Sequence, residues 1–436
     1  MRVEFSPPDI TEAEIEAVAE ALRSGWITTG PRTKRLEQQL AAWCQTPRVV
    51  CLNSATAALE CALRLLGIGP GDEVITSAYT YTASASVICH VGATPVLIDT
   101  APGSYQMDYE ALAAAITPRT KAVIPVDIAG VMCDYDTLQA VLRRESVKAR
   151  YAPAAATLQA TFDHVPVLAD GAHSFGATRQ GRPSGSVADF TAFSFHAVKN
   201  LTTAEGGALT WRARPEVAGW DDEALYRQMM LLSLHGQSRD ALSKNKPGAW
   251  EYDIVAPYYK CNMTDLAAAL GLAQLERIPA LLARRRALLE RYAKGLGDSG
   301  LRLDVLAHYS ACASSSGHLC MVRLIGRSEA FRNRFIERMA ARQIACNVHY
   351  KPLPLLTAYR DLGFDIRDFP NALAQYQCEV TLPVHTRLTD EALDYVIAAF
   401  CEAYEECAQA DAQAGEQADA QAGEQVADAN ELPADV

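Results

Sequence analysis

RVVCLNSATAALECALRLLGIGPGDEVITS, residues 48–77, is the stretch whose reading decides the fold. Arg48–Leu52 is a short apolar run with β-branched residues and reads as a strand. SATAALECALRLLGIG follows with apolar residues at helical spacing, Ser54 at its start as a cap and Gly67 near its end as a stop. EVITS (73–77) is then a second strand. Strand, helix and strand in so short a span make a βαβ unit, which needs parallel strands with a helix on one face. Upstream, ITEAEIEAVAEALRSG reads as an amphipathic helix ending at Gly25. Downstream come TPVLID (94–99), KAVIPVD (121–127), VPVLAD (165–170), FTAFSF (190–195) and GALTW (207–211), separated by helical or turn-rich segments. The expected fold class is α/β, with a mostly parallel sheet covered on both faces.

After about residue 247 the pattern changes. DLAAALGLAQLERIPALLARRRALLERYAKGLG (265–297) predicts one or two long amphipathic helices. CMVRLIG (320–326) predicts a strand, SEAFRNRFIERMAARQ (328–343) a helix and CNVHY (346–350) another strand. The division expected is a large domain over 1–247, a smaller α+β domain over 248–407, and a tail over 408–436. The tail repeats DAQAGEQA (411–418) as DAQAGEQV (419–426) and has few large apolar residues to offset the entropy of ordering. It is expected to be disordered. RESVKARYAPAAATLQATFDHVP (144–166) reads as an exposed loop or short helix without chemistry.

With 436 residues, 49% hydrophobic and 21% charged, the composition is that of an ordinary globular protein. No apolar run is expected to cross a bilayer, and the N-terminus is polar and acidic where a secretory signal is basic then apolar. These features predict a cytoplasmic protein. The net charge is -12, but seven of the 52 acids and none of the 40 bases fall in the tail, so the body gives no case for nucleic-acid binding. The 12 cysteines form no C-x-x-C pair and no cluster at zinc spacing, so reduced thiols are expected and no metal site.

Three pieces carry chemistry. SFHAVKNLTTAEGGAL (194–209) sets Lys199 five residues past a strand end. Alone it is a surface lysine like most. VPVLADGAHSFGA (165–177) ends a strand on Asp170, where open α/β sheets bind ligands. Alone, Asp170 caps a turn. CLNSATAALECAL (51–63) opens a helix after a strand, and such an N-terminus can hold an anion. Alone it is a serine cap. Together they suit pyridoxal 5′-phosphate (PLP), which needs a lysine for its aldehyde, an acid at its ring nitrogen and a phosphate cradle. Tyr79 and Tyr81 are candidates for a flat face against the ring. A NAD(P) oxidoreductase also fits an alternating α/β chain, but no G-x-G-x-x-G turn follows the first strand.

The order of these pieces resembles the DegT/StrS-type sugar-nucleotide aminotransferases, among the fold-type I PLP enzymes. SGWITTGP (24–31), NSATAAL (53–59), GDEVIT (71–76), GATPVLID (92–99), ADGAHSFGA (169–177), SFHAVKNLTTAEGGA (194–208), KCNMTDLAAALGLAQLE (260–276), NVHYKPLPL (347–355) and LPVH (382–385) all occur in the family's order. The likeness spans about residues 5–405. It implies a Schiff base on Lys199, Asp170 at the pyridinium nitrogen and His173 near the phenolic oxygen. It places Tyr81 stacked on the ring, and gives the phosphate to Ser54, Thr56, Ser194 and the Ala55 N–H. Asn262 matches an asparagine that reaches the phosphate of a neighbouring subunit, which implies a homodimer. Thr28, Thr29, Gly30, His349 and Tyr350 fall in segments lining the substrate side.

The chain departs from the pattern in three places. Asp170, Gly171 and Ala172 stand where Asp-Ala-Ala is common, VDIAGVMCD (126–134) lacks the usual His-Leu-Tyr-Gly, and 144–166 is long. What the resemblance implies is amino transfer from L-glutamate to a nucleotide-linked keto sugar, in surface-polysaccharide (O-antigen) or deoxyamino-sugar synthesis. HYKPLPLLTAY (349–359) resembles members acting on 4-keto-6-deoxy sugars, with amination at C3 as the alternative. A sugar dehydratase relative would carry histidine in place of Lys199. A non-catalytic regulator on the same scaffold would not need both Lys199 and Asp170.

Overall fold

The computed structural model describes residues 1–155, 157–238 and 251–430. Seven strands build the main sheet: β1 (Val49–Leu52), β2 (Glu73–Ser77), β3 (Thr94–Ile98), β4 (Thr120–Ile124), β5 (Leu168–Asp170), β6 (Phe190–Ser194) and β7 (Gly207–Trp211). One ladder runs β3-β2-β4 and another β5-β6-β7-β1. Parallel bridges Val123–Val167 and Val126–Asp170 join them between β4 and β5. The order is therefore β3-β2-β4-β5-β6-β7-β1, and only β7 runs antiparallel to its neighbours.

β1, β2, β4, β5, β7 and most of β6 are buried along their whole length. That is why they read as continuous apolar runs with no alternation. Helices cover the sheet: α1 (Glu12–Arg23), α2 (Pro31–Cys44), α3 (Ala55–Leu65), α4 (Ala83–His90), α5 (Tyr109–Ala115), α6 (Tyr135–Leu142) and α7 (Asp222–Ser233). The helix α3 lies over the middle of the sheet, with Ala58, Leu59, Ala62 and Leu63 fully buried.

α8 (Asp265–Gly297) is one helix of 33 residues that runs through Pro279. Proline removes one backbone hydrogen bond there, but Leu275, Ile278, Leu281 and Leu288 are buried on both sides of it and hold the helix in place. By length and composition α8 could also cross a membrane, contrary to the expectation that no stretch could; half of that apolar window is buried inside the protein. Beyond it, β8 (Leu303–Val305), β9 (Cys320–Leu324) and β10 (Glu379–Leu382) form a small antiparallel sheet, with α9 (Glu329–Ala341) and α10 (Asp390–Asn430) against it. The start of the chain joins this part: Val3 pairs with Ile344, and the Ala345 N–H donates to the Val3 carbonyl at 3.1 Å.

Three further expectations change. CNVHY is no ladder strand: only Asn347 bridges to Thr381 of β10, because the chain turns away at His349. The tail, expected to be disordered, continues α10 as far as Asn430; its alanine, glutamine and glutamate are strong helix formers and extend an existing helix without a new nucleus. Residues 431–436 lie outside the described residues, as does the boundary placed at 247 and 248. In 144–166 the side chain of Gln159 is buried and donates to the Leu66 carbonyl at 3.0 Å, so this segment packs onto the end of α3.

Candidate active site

The parallel strands all end at one edge of the sheet, and a cavity of about 450 Å³ opens there. Ser54, Ala55 and Thr56 enter it from the start of α3, Asp170 and His173 from the end of β5, and Ser194 and Lys199 from the end of β6. Tyr81 follows β2, while His349 and Tyr350 come from the small-sheet half of the chain. Ten of the residues singled out in the sequence therefore meet in one place.

Ser54 caps α3, its Oγ accepting the Ala57 N–H at 3.1 Å. Ala55 and Thr56, the first two residues of α3, line the cavity, and their N–H groups have no partner within the helix, which suits the turn to an anion. Gly207 at the start of β7 passes directly behind: a Cβ there would lie 2.3 Å from the Ser54 carbonyl carbon and 2.4 Å from the Ala55 nitrogen. Only glycine lets the strand and the turn come that close.

Asp170 is buried. Its Oδ2 accepts from Ser84 Oγ at 2.7 Å and its Oδ1 from the Ala172 N–H at 3.1 Å. Burial raises its pKa, against the pull of these two donors and of Lys199. Lys199 is lowered to about 8 by burial, while the Asp170 charge works the other way. A buried acid that gains from a cationic N–H partner and a lysine amine available near neutrality are what PLP requires, so the residues present fit the cofactor.

The proton on His173 can be placed from its partners. The backbone N–H of Ala129 donates to Nδ1 at 3.2 Å, so Nε2 carries the hydrogen and donates to the Tyr350 hydroxyl, 3.1 Å away. Burial, with Lys199 and His349 nearby, pulls the His173 pKa well down, so the ring stays neutral. The Tyr350 proton is then directed away from His173. Behind His173 lies the buried His318 ring, 4.3 Å between centroids, with Nδ1 bonded to Asn200 Oδ1 at 3.1 Å.

Four expected residues lie away from this cavity. Thr28, Thr29, Gly30 and Asn262 form a cluster of their own: the Asn262 amide donates to Thr29 Oγ1, the Thr29 hydroxyl donates to the Met263 carbonyl, and the Asp265 N–H donates to the Thr28 carbonyl at 3.1 Å. Gly30 caps α2 under the Trp26 indole. Tyr79 also leaves the candidate set: it is fully buried, with its hydroxyl donating to the His349 carbonyl at 2.8 Å, whereas Tyr81 stands exposed at the cavity. The sequence reading passed over Ser84, His318, Glu379 and Thr381. Asn200, beside Lys199 in the quoted motif, was the one signal that could have pointed to His318.

A family model, the DegT/DnrJ/EryC1/StrS aminotransferase family, matches residues 8–401. Spr1654 of Streptococcus pneumoniae, assigned as a sugar aminotransferase and solved in its PMP form, is 54% identical with a TM-score of 0.89; the match covers 93% of this chain and 100% of that one. PseC of Helicobacter pylori, an aminotransferase involved in the biosynthesis of pseudoaminic acid, is 26% identical with a TM-score of 0.80, over 93% and 100% of the two chains. The spore coat polysaccharide biosynthesis protein SpsC of Bacillus subtilis (strain 168) is 37% identical over 399 residues, 91% of this chain and 95% of its own length.

Proposed function

The chain belongs to the DegT/DnrJ/EryC1/StrS family of PLP-dependent sugar aminotransferases, and from that premise we propose that it moves an amino group from L-glutamate to a nucleotide-linked keto sugar. Membership sets aside the non-catalytic reading. The observation that carries the proposal is the meeting of Lys199 and Asp170 in one cavity, above a helix N-terminus able to hold a phosphate.

When bound, PLP supplies an aldehyde on an electron-withdrawing ring, which drains charge from the carbon next to the transferred nitrogen. The protein does the rest. Ser54, Thr56, Ser194 and the Ala55 N–H, all lining the cavity, would hold the phosphate by hydrogen bonds and the dipole of α3. Asp170 would hold a proton on the ring nitrogen, and Ser84 and the Ala172 N–H fix the carboxylate for that task. Lys199 would hold the cofactor through its aldehyde, and its amine, lying in the same cavity, would serve as the base that moves the proton at the donor's Cα. A pKa of about 8 leaves a useful share of the amine free at neutral pH. His173 donates from Nε2 to Tyr350 and so aims the phenolic proton into the cavity. Tyr81, exposed at the cavity, would stack on the cofactor ring.

The sugar is read as a 4-keto-6-deoxy sugar aminated at C4, supported by residues 349–359; amination at C3 is the second reading. The names of SpsC and PseC support a role in surface-sugar or polysaccharide synthesis, O-antigen included. A homodimer is favoured because Asn262 and Thr28–Gly30 lie off the cavity of their own chain, next to exposed Ile27. The cytoplasm is favoured by the scattered placing of the 12 cysteines, which suits reduced thiols; the Cys61 and Cys261 sulfurs stand 3.9 Å apart in a hydrogen bond.

The test is the visible spectrum of the holoenzyme. It should lose its yellow band on addition of L-glutamate and regain it with a nucleotide 4-keto sugar. If glutamate leaves the band intact, the donor is wrong; if no nucleotide keto sugar restores it, the acceptor class is wrong. Sedimentation of the holoenzyme tests the dimer.

A further inference from the structure

Behind the cavity lies a buried carboxylate with no part in the chemistry above. Glu379 and Thr381 are two residues apart on β10 and share one side of the strand. Both are fully buried. Asn347 pairs with Thr381 through both backbone bonds, 3.0 and 2.8 Å, which brings His349 onto the same side. Three short contacts follow. The His349 N–H donates to Glu379 Oε2 at 2.9 Å, Thr381 Oγ1 bonds Glu379 Oε1 at 2.5 Å, and His349 Nδ1 bonds Thr381 Oγ1 at 2.9 Å. Phe5 stacks on the imidazole at 5.7 Å and 16°, fixing its plane. Among the described residues nothing bonds Nε2, and His349 lines the cavity.

Thr381 has one hydroxyl proton, and its direction is set from one end of this chain. Against a carboxylate the proton points to Glu379. Thr381 then accepts from Nδ1–H, and Nε2 faces the cavity as a bare acceptor. Against a neutral acid, Glu379 donates to Thr381, the hydroxyl donates to Nδ1, and Nε2 carries a hydrogen into the cavity. We propose that Glu379 is a positioning residue that, through Thr381, decides whether His349 offers the sugar a hydrogen-bond acceptor or a donor. The proposal rests on the keto-sugar reading and gives it chemical detail. The acceptor form suits a hydroxyl on the carbon next to the ketone, while Tyr350 supplies a donor beside it.

The proton states allow this. Burial pushes Glu379 up to about 8, and burial pulls His349 down to about 4, so the ring stays neutral while its hydrogen moves. Glu379 faces the Arg332 guanidinium of α9, the phenols of Tyr79, Tyr105 and Tyr350, and the thiols of Cys320, Cys346 and Cys378. His349 faces Lys199, His173 and His318.

The experiment is nitrogen NMR of the His349 ring in the holoenzyme, assigned with His349→Asn, from about pH 6 to about pH 10. In the unsubstituted protein the hydrogen should pass from Nε2 to Nδ1 as Glu379 ionises near 8. Glu379→Gln, whose amide donates to Thr381, should hold it on Nε2 throughout. Thr381→Val should abolish the passage, and Thr381→Ser should restore it. A ring that keeps one tautomer at every pH in the unsubstituted protein, or behaves alike in all the variants, overturns the proposal. Single-turnover half-reactions give the second reading. At alkaline pH, Glu379→Gln should lose about tenfold in kcat/KM with the keto sugar and nothing with glutamate. An equal loss with both would mean a merely structural role. If no keto sugar reacts even with the unsubstituted enzyme, the acceptor assignment falls, while the NMR result still decides the role of Glu379.

Discussion

Lys199 and Asp170 show how two buried charges can be made useful by one another. The Asp170 carboxylate favours the lysine cation, and burial opposes it. Asp170→Asn removes the attraction and leaves the burial, so the Lys199 midpoint should fall further below about 8. The pH dependence of amine labelling in the apoprotein would show the shift, and a midpoint that rises would contradict it. The same variant should still bind PLP but lose about a hundredfold or more in turnover. Ser84→Ala takes one of two donors from Asp170 and should cost about tenfold in kcat with the fold intact. Lys199, Asp170, Ser54 and Ser194 were legible in the sequence because each sits beside a strand end. Ser84, Glu379 and Thr381 were not. Ser84 reaches Asp170 across 86 residues and Thr381 reaches His349 across 32, and neither contact leaves a local pattern.

Among the elements, the junction of β1 with α3 concentrates the most consequence. Ser54→Ala loses the cap on Ala57 and should destabilise the protein by about 1 kcal/mol, read as a fall in Tm of a few degrees with weaker cofactor retention. Gly207→Ala should do more, because its new Cβ would press within 2.3 Å of the Ser54 carbonyl carbon and push the cradle out of place. Cofactor titration should show an affinity loss larger than that of Ser54→Ala. EVITS and GALTW match β2 and β7 end to end because a buried strand is a continuous apolar run. CNVHY has the same look but leaves the sheet after one bridge, since its later residues are held by Glu379, Thr381 and His173 rather than by a ladder. Local propensity does not register such distant partners.

For the molecule as a whole, alternating strands and helices made the α/β class readable, but not the strand order, which depends on pairings such as β1 with β7 across more than 150 residues. The tail is the other miss: composition alone cannot tell an isolated segment from one that extends a helix already formed. Removing residues 414–436 should leave Tm within about 1 °C, since that sequence has few large apolar residues to contribute to a core. Cutting back through Phe400, Ala403, Tyr404 and Cys407, all buried, should cost several kcal/mol (about 2–5 for each large side chain), and thermal unfolding would separate the two truncations. The pairing of Val3 with Ile344, and of Phe5 with His349, also sets a clock. During synthesis at about 5–20 residues per second, Val3 waits roughly 20–70 s for its partner. His349 and Tyr350 emerge at the end of that wait, so a ribosome-bound chain can expose Lys199 and the phosphate turn well before the cavity has its far wall.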